Sequence, residues 1–482
     1  MLNKLKIFVL LLIISSSSHA KSEQIRDVEK IRKAIVTINS RVPVSAYQNT
    51  GSWSGTGFIV DAKNGLIVTN AHVVGRASVG TYFLTFHNGQ QAEAKLVYYD
   101  QYCDFAVLKI NIADLPQEHE IIEFTDVRPK IGEELYMVGN TEGQGFSFHT
   151  GYMSDLYEIY GEMPQGSYTI NMNSTGGASG SPVLNSSNKA IGVLYGGGKT
   201  HVLALKSQYV MHVLKDIIGN QPISRKHIGI ITELYSLDKA VKHRNFSPEM
   251  MKEYIAKYPD ARNRVVVVRK VLAGSTAESQ IIPGDIIWKI NGKDVAADLC
   301  LFDLDLSKAK TDTIKISVIR NGAILEQNIK SYDLEKQKIS RMLDFAGGIF
   351  FEADDYVSLK SGIPIGKVTL ANVQTGSSFS SIPEMFVQDY KSIYRLQIKS
   401  INNTTIKTLD DLIKATKDAI HKKYVNLEYK NYQPHYPMFA PESGFISSHD
   451  NLMQDIVFDS IESDPRILKY DSNSAEWVSS GL

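Results

Sequence analysis

The sequence predicts a mainly β protein: one large all-β unit, a barrel or sandwich, followed by two smaller units that mix helix and strand. Three observations carry this reading. Between about residues 35 and 205, short apolar runs alternate with turn residues. Examples are Gly57-Phe58-Ile59-Val60, Leu66-Ile67-Val68, Tyr82 to Phe86, Ala106 to Ile110, Leu135 to Val138 and Ala190 to Leu194. Asn-Gly pairs recur at 64–65, 88–89, 291–292 and 321–322; both central residues of a type I′ hairpin turn need positive φ, which Asn and Gly tolerate. Finally, Ile290-Asn291 followed by Val295 recurs as Ile401-Asn402 followed by Ile406, at an offset of 111. Each copy precedes an Asp/Leu-rich helical stretch and a strand, Ile314 to Ile319 and Tyr424 to Tyr429.

The elements follow in order. Lys4 and Lys6 give a positive start, Ile7 to Ile14 is an unbroken apolar run, and small residues stand at Ser18 and Ala20. That run is too short to span a bilayer, so residues 1–20 are expected to be a signal peptide cut near Ala20. The mature protein is then exported, to a periplasm or beyond, with no stable membrane span. Gln24 to Lys33 has helical spacing. The large β unit spans 21–220 and ends in a helix over Ser207 to Ile218, which puts Val210, Val213, Leu214 and Ile217 on one face and stops at Gly219-Asn220. The second unit, 222–332, holds a helix over Pro248 to Lys257 and a buried strand over Val265 to Val268. The third spans 340–432. Residues 433–482 show no period and read as a loop-like C-terminal extension.

Composition narrows the function. The chain has 482 residues with 52 basic and 52 acidic side chains, so it does not carry the charge of a nucleic-acid or anionic-membrane coat. Hydrophobic residues at 43% and charged ones at 22% suit several ordinary cores. The two cysteines, Cys103 and Cys300, make no disulfide framework and no thiolate zinc site. No metal-ligand spacing occurs, and no cofactor is expected.

Chemistry concentrates in three places in the β unit. His72 follows a buried strand in Val68-Thr69-Asn70-Ala71-His72-Val73-Val74; Asp104 opens another in Cys103-Asp104-Phe105-Ala106-Val107-Leu108. Ser179 sits in the glycine-rich turn Thr175-Gly176-Gly177-Ala178-Ser179-Gly180-Ser181-Pro182. A serine hydroxyl is a weak nucleophile at neutral pH, so a base must take its proton during attack, and an imidazole does this and returns it to the leaving amine. An acid on the other ring nitrogen fixes the tautomer and stabilises the imidazolium. The oxyanion that forms needs aimed N–H donors, for which Gly177 and Ser179 have the right spacing.

With these motifs the chain resembles the trypsin-like serine proteases, in particular the HtrA/Deg family. Thr69 to Val74 resembles that family's histidine motif, Asp104 to Ile110 its aspartate motif, and Leu205 to Ile218 its domain-closing helix. Arg225 to Ile230, Val271 to Ala277 and Pro283 to Gly292 are similar to the entry and core motifs of its PDZ domain. The resemblance implies a chymotrypsin-like double β-barrel followed by two α+β PDZ-like domains. It also implies a homo-oligomer, a trimer or multiples of it, that clears unfolded or damaged polypeptides. It implies a substrate pocket walled by Asn173, Thr175, Leu194, Tyr195 and Gly196, with no charge to pair a Lys, Arg, Asp or Glu side chain. The PDZ-like reading gives His227-Ile228-Gly229-Ile230 as a loop whose N–H groups capture a peptide C-terminus, with Phe345 to Phe350 as its counterpart in the third unit. The nucleophile turn departs from the family: Ala178 precedes Ser179 and Gly180-Ser181 follows, which is similar to secreted glutamyl endopeptidases, although Leu194 stands where those carry a histidine. The rival expectation is a chaperone or adaptor that binds exposed C-termini and keeps its protease domain latent.

Overall fold

A computed structural model describes residues 28–482 except 48–49, 101, 142, 159–164, 375, 383–395, 423, 433–448 and 458–463. The expected signal peptide lies outside the described residues.

Twelve strands form two closed six-stranded barrels. The first uses β1 (Ile35–Ser45), β2 (Gly51–Asp61), β3 (Leu66–Thr69), β4 (Ser78–Phe86), β5 (Gln91–Asp100) and β6 (Phe105–Ile110), in spatial order 1-2-3-6-5-4. The second uses β7 (Glu134–Thr141), β8 (Gln144–Glu158), β9 (Ser167–Asn171), β10 (Pro182–Leu184), β11 (Ala190–Gly197) and β12 (Val202–Lys206), in order 10-11-12-9-8-7. Alternation fills each barrel: in β5, Ala92, Ala94, Leu96 and Tyr98 turn inward while Gln91, Glu93 and Lys95 face water. Closure leaves no free sheet edge in this part of the molecule. Phe58, Phe105, Tyr136, Val138 and Leu203 belong to a further core that joins the barrels, with Tyr209, Val210 and Val213 of the helix Ser207–Ile218.

Two of the four expected hairpins form differently. At 291–292 and 321–322 both residues have positive φ and the strands pair directly across them, Ile290 with Lys293 and Arg320 with Ala323. At 64–65 and 88–89 only the glycine does. Side-chain hydrogen bonds explain the difference: the Asp61 carboxylate accepts from the Asn64 N–H at 3.1 Å and from Asn64 Nδ2 at 2.6 Å, and Asn88 Oδ1 accepts from the Gln90 N–H at 3.0 Å. These Asx contacts favour a wider loop closed by one left-handed glycine.

Each of the two smaller units is a sheet with helices. The first sheet runs Ile230–Ser236, Arg264–Val271, Ile286–Ile290, Thr313–Arg320, Ala323–Lys330, with the helix Pro248–Lys257 where the sequence places it. The repeat at offset 111 is visible bond by bond. Asn291 donates its N–H to Lys315 O and Asn402 to Asn426 O, both at 2.8 Å. Val295 donates to Trp288 O at 3.0 Å and Ile406 to Lys399 O at 2.8 Å. The stretch read as loop-like differs: residues beyond 433 contribute strands His449–Val457, Arg466–Asp471 and Glu476–Gly481 to the two ends of the last sheet. Edge strands exposed on one face carry little apolar periodicity, as the exposed row Glu476 to Gly481 shows. Among the described residues, no helix is long and apolar enough to cross a membrane.

Candidate active site

The site lies where turns from both barrels meet. Strand β3 is buried throughout and delivers Asn70 and Ala71, also buried, and then His72, whose side chain is 33% exposed. Asp104 immediately precedes β6, in a left-handed conformation (φ 50°), with its side chain 3% exposed. Its Oδ2 lies 2.7 Å from His72 Nδ1, and its Oδ1 accepts from the His72 N–H at 2.9 Å. A carboxylate only accepts, so Nδ1 carries the proton and Nε2 the lone pair. Asn70 Nδ2 donates to Asp104 O at 2.9 Å, tying the two turns together. Arg76, 6% exposed, donates to Asp104 Oδ1 at 3.0 Å. Burial pushes the Asp104 carboxyl up, but His72 and Arg76 outweigh it and hold the group below the usual carboxylate range.

The Ser179 turn is tight. Ala178 donates to Thr175 O at 3.3 Å, Ser181 N to Ala178 O at 3.0 Å and Ser181 Oγ to the same oxygen at 2.6 Å. Gly177 (φ 96°) and Gly180 (φ 90°) supply the backbone angles. Thr56 of β2 fastens this turn to the other barrel: its N–H donates to Ser179 O at 2.8 Å and its hydroxyl to Gly177 O at 2.8 Å. A Cβ at position 180 would lie 2.0 Å from Thr56 O, so only glycine fits. Among the described residues, no acceptor takes the N–H of Gly177 or Ser179. The Ser179 hydroxyl also makes no hydrogen bond among them; such contacts often tighten only with substrate in place. Both turns converge on Gly55, where a Cβ would stand 2.7 Å from Val73 and 3.3 Å from Ser179 O.

The remaining expected site residues are less assembled. Asn173 is exposed, and Thr175 and Gly196 are partly exposed, beside the nucleophile turn. Leu194 and Tyr195 are buried. Leu194 packs in the second barrel's core and meets the turn through its backbone, accepting from Gly180 N and donating to Ser181 O. Tyr195 hydrogen-bonds Ser167 at 2.7 Å in the core between the barrels. Their side chains serve packing rather than an open pocket wall. In the second unit, the Gly229 N–H donates to His227 Nδ1 at 3.1 Å, Ile228 and Ile230 are buried, and Ser275 fills the space beside Gly229. His227 also packs at a tilt against Tyr102 of the first barrel and lies 3.2 Å from Asp355 of the third unit. The loop is thus enclosed between units instead of open. Cys103 and Cys300 are free and buried, and burial raises both thiols.

Sequence reasoning missed Thr56 and Arg76. Gly55-Thr56-Gly57 did hold a signal, since glycines inside a strand mark a close backbone approach. Arg76 had none, because its role depends on a distant partner.

Residues 55–193, which contain all three candidate triad residues, match the family described as trypsin-like peptidase domain. An uncharacterised protein of Rickettsia prowazekii is 42% identical over 185 residues, 38% of this chain and 95% of that protein. The pro-apoptotic serine protease NMA111 of Eremothecium gossypii is 26% identical over 434 residues, 86% of this chain, and the chain spans 43% of that protease's length. A solved HtrA-type protease, AlgW with a tripeptide, aligns at 21% identity and TM-score 0.47, over 64% of this chain and 95% of that one. With its histidine and aspartate motifs paired in a double barrel, and with the peptidase match covering residues 55–193, the chain carries a trypsin-like serine peptidase domain.

Proposed function

We propose that this protein is an exported serine endopeptidase that cleaves unfolded or damaged polypeptides. In this reading His72 Nε2 takes the Ser179 proton as Oγ attacks the scissile carbonyl. Asp104 holds the imidazole and stabilises its charged form. The Gly177 and Ser179 N–H groups receive the oxyanion, and His72 then protonates the leaving amine. The observation that carries the proposal is the buried Asp104 carboxylate on His72 Nδ1 at 2.7 Å, which fixes the tautomer a general base needs. Export rests on the Lys4 to Ala20 pattern, and a trimer or multiple of it on the motif resemblance. The enclosed Gly229 loop favours a regulatory role for the PDZ-like units over capture of substrate C-termini.

The test is casein degradation by purified wild type and Ser179→Ala side by side, with folding checked by circular dichroism. Loss of cleavage in the variant supports the proposal; retained cleavage overturns it. The unengaged Ser179 hydroxyl favours a second reading, a resting protease that binds polypeptides before it cuts them. Labelling by a fluorophosphonate separates the two: a resting site labels slowly and speeds up when unfolded protein is added.

A further inference from the structure

The third unit is built into the wall of the catalytic turn. Ala46, Tyr47 and Ala77 of the first barrel share one core with Met342, Phe351, Tyr356 and Val357 of the third unit. At the centre of this junction is Arg76, two residues after Val74 and in the left-handed region (φ 56°). Its N–H donates to Ala71 O at 3.0 Å, which aims the side chain inward. One guanidinium nitrogen reaches Asp104 Oδ1 at 3.0 Å, and the guanidinium carbon stands 5.0 Å from the centre of the Tyr356 ring. Tyr356 is itself fixed, lying edge-on to Tyr47 at 5.4 Å and 89°, and the Tyr47 hydroxyl donates to Asp354, which caps the helix Asp355–Ser361.

We propose that Arg76 is a positioning residue for the triad, held by Tyr356 of the third unit, and that this unit thereby sets the orientation and charge of the Asp104 carboxylate. The proposal rests on the catalytic reading above. A planar guanidinium presents its N–H in a fixed direction, as a lysine ammonium does not, and here it holds the one carboxylate oxygen it reaches, Oδ1. With Oδ1 held by Arg76 and the His72 N–H, Oδ2 is left to His72 Nδ1 alone. The guanidinium charge also shares the carboxylate with the imidazolium that forms during turnover. Charged groups facing Asp104 include His72 and Arg76; Arg76 in turn lies against Asp104 and over the Tyr356 ring, over which Lys360 also stands at 5.3 Å.

The test is a cycle of variants in the full chain, assayed on a fluorogenic casein across pH with the thermal midpoint measured for each. Arg76→Gln is expected to lower kcat roughly ten- to hundredfold at unchanged KM, the scale of a small misplacement of a catalytic group. Its acidic limb of kcat/KM should move to higher pH by roughly 0.5–1 unit, because the unshared carboxylate then favours the imidazolium. Arg76→Lys should restore the limb but only part of kcat. Tyr356→Leu, which keeps the apolar packing, should lower kcat several-fold, and this loss should vanish in the Arg76→Gln background. Combined with Asp104→Asn, Arg76→Gln should add no further loss. An unshifted pH limb, or an equal loss with and without Asp104, overturns the proposal and leaves Arg76 a packing residue. If Arg76→Gln does not fold, Tyr356→Leu alone decides: unchanged kcat and limb overturn it. Ser179→Ala serves as the control: an active Ser179→Ala sinks the catalytic reading, whereas an inactive one with indifferent Arg76 and Tyr356 variants sinks only this inference.

Discussion

Replacing Thr56 by valine isolates what the clasp between the barrels contributes. Valine keeps the β-branched shape in a strand and removes only the hydroxyl. That hydroxyl accepts from the Asn140 N–H at 2.9 Å and from Asn140 Nδ2 at 3.2 Å, and donates to Gly177 O at 2.8 Å. Thr56 is fully buried and Asn140 nearly so, so water does not simply replace the lost partner. Two backbone groups, the Asn140 N–H and the Gly177 carbonyl, lose their hydroxyl partner. An unsatisfied buried group costs about 1–3 kcal/mol, which applies in full to the Asn140 N–H; the Gly177 carbonyl, on a partly buried residue, adds less. For a barrel pair of this size that is a drop of roughly 2–12 °C in thermal midpoint. Activity should suffer as well, because the Gly177 peptide is part of the turn proposed to hold the oxyanion. Removing one oxyanion donor outright costs about 10²–10³ in kcat, which sets the ceiling; a loosened turn should fall below it, at tens-fold. The assay is peptide hydrolysis at saturating substrate alongside differential scanning fluorimetry. Thr56→Ser keeps the hydroxyl and should recover most of kcat while losing a methyl's worth of packing. A Thr56→Val protein with kcat within twofold of wild type would refute the reasoning, as would equal kcat losses in the valine and serine variants.

Gly180→Ala should abolish activity and lower the thermal midpoint, since its Cβ would strike Thr56 O and Thr69 Oγ1; normal activity would refute the packing of the turn. Stability should depend on pH through Asp354, whose carboxyl burial pushes up to about 7. The folded state then keeps a proton that the unfolded chain releases near pH 4, so this contribution is complete below pH 4 and lost as pH rises to 7, on the order of 4 kcal/mol. Asp354→Asn retains the helix cap, and its midpoint relative to wild type should climb from pH 4.5 to 7.5; a constant difference would contradict the burial argument. Mass-spectrometric mapping of casein fragments should show cuts after small or medium aliphatic residues, because the turn around Asn173 to Gly176 has no charged group to pair a charged side chain. Cuts concentrated after Glu, or after Lys and Arg, would refute that.

The barrels and the His72–Asp104 pairing were legible because each depends on local pattern: alternating strands, a buried strand before the histidine, an acid opening the next. The hairpins at 64–65 and 88–89 were misread because the same dipeptide serves two turn types, and Asp61 decides one of them from three residues away. Leu194 and Tyr195 were placed by analogy on a pocket wall, whereas which face of β11 packs inward is set by the barrel closing around it. Arg76 and Thr56 act through residues 28 and more positions distant, and nothing local marks such a partnership.

The last sheet has a temporal consequence. Its strand Arg341–Phe345 pairs on one side with Gly348–Glu352 and on the other with Arg466–Asp471, more than a hundred residues later. A ribosome delivers residues at about 5–20 per second, and domains fold as they emerge, so the two barrels are complete long before that late strand arrives. Pairings of such sequence separation are also slow to form once the chain is available. The residues that cover the first barrel around Tyr47 and Ala77 are made well before that strand, but the sheet that carries them is closed on this side only when Arg466–Asp471 arrives. A chain interrupted at 432 would carry every triad residue and still lack the strand that finishes the unit buttressing Asp104. Completion of that sheet, and with it of the unit packed against Arg76, thus depends on a segment made long after every candidate triad residue.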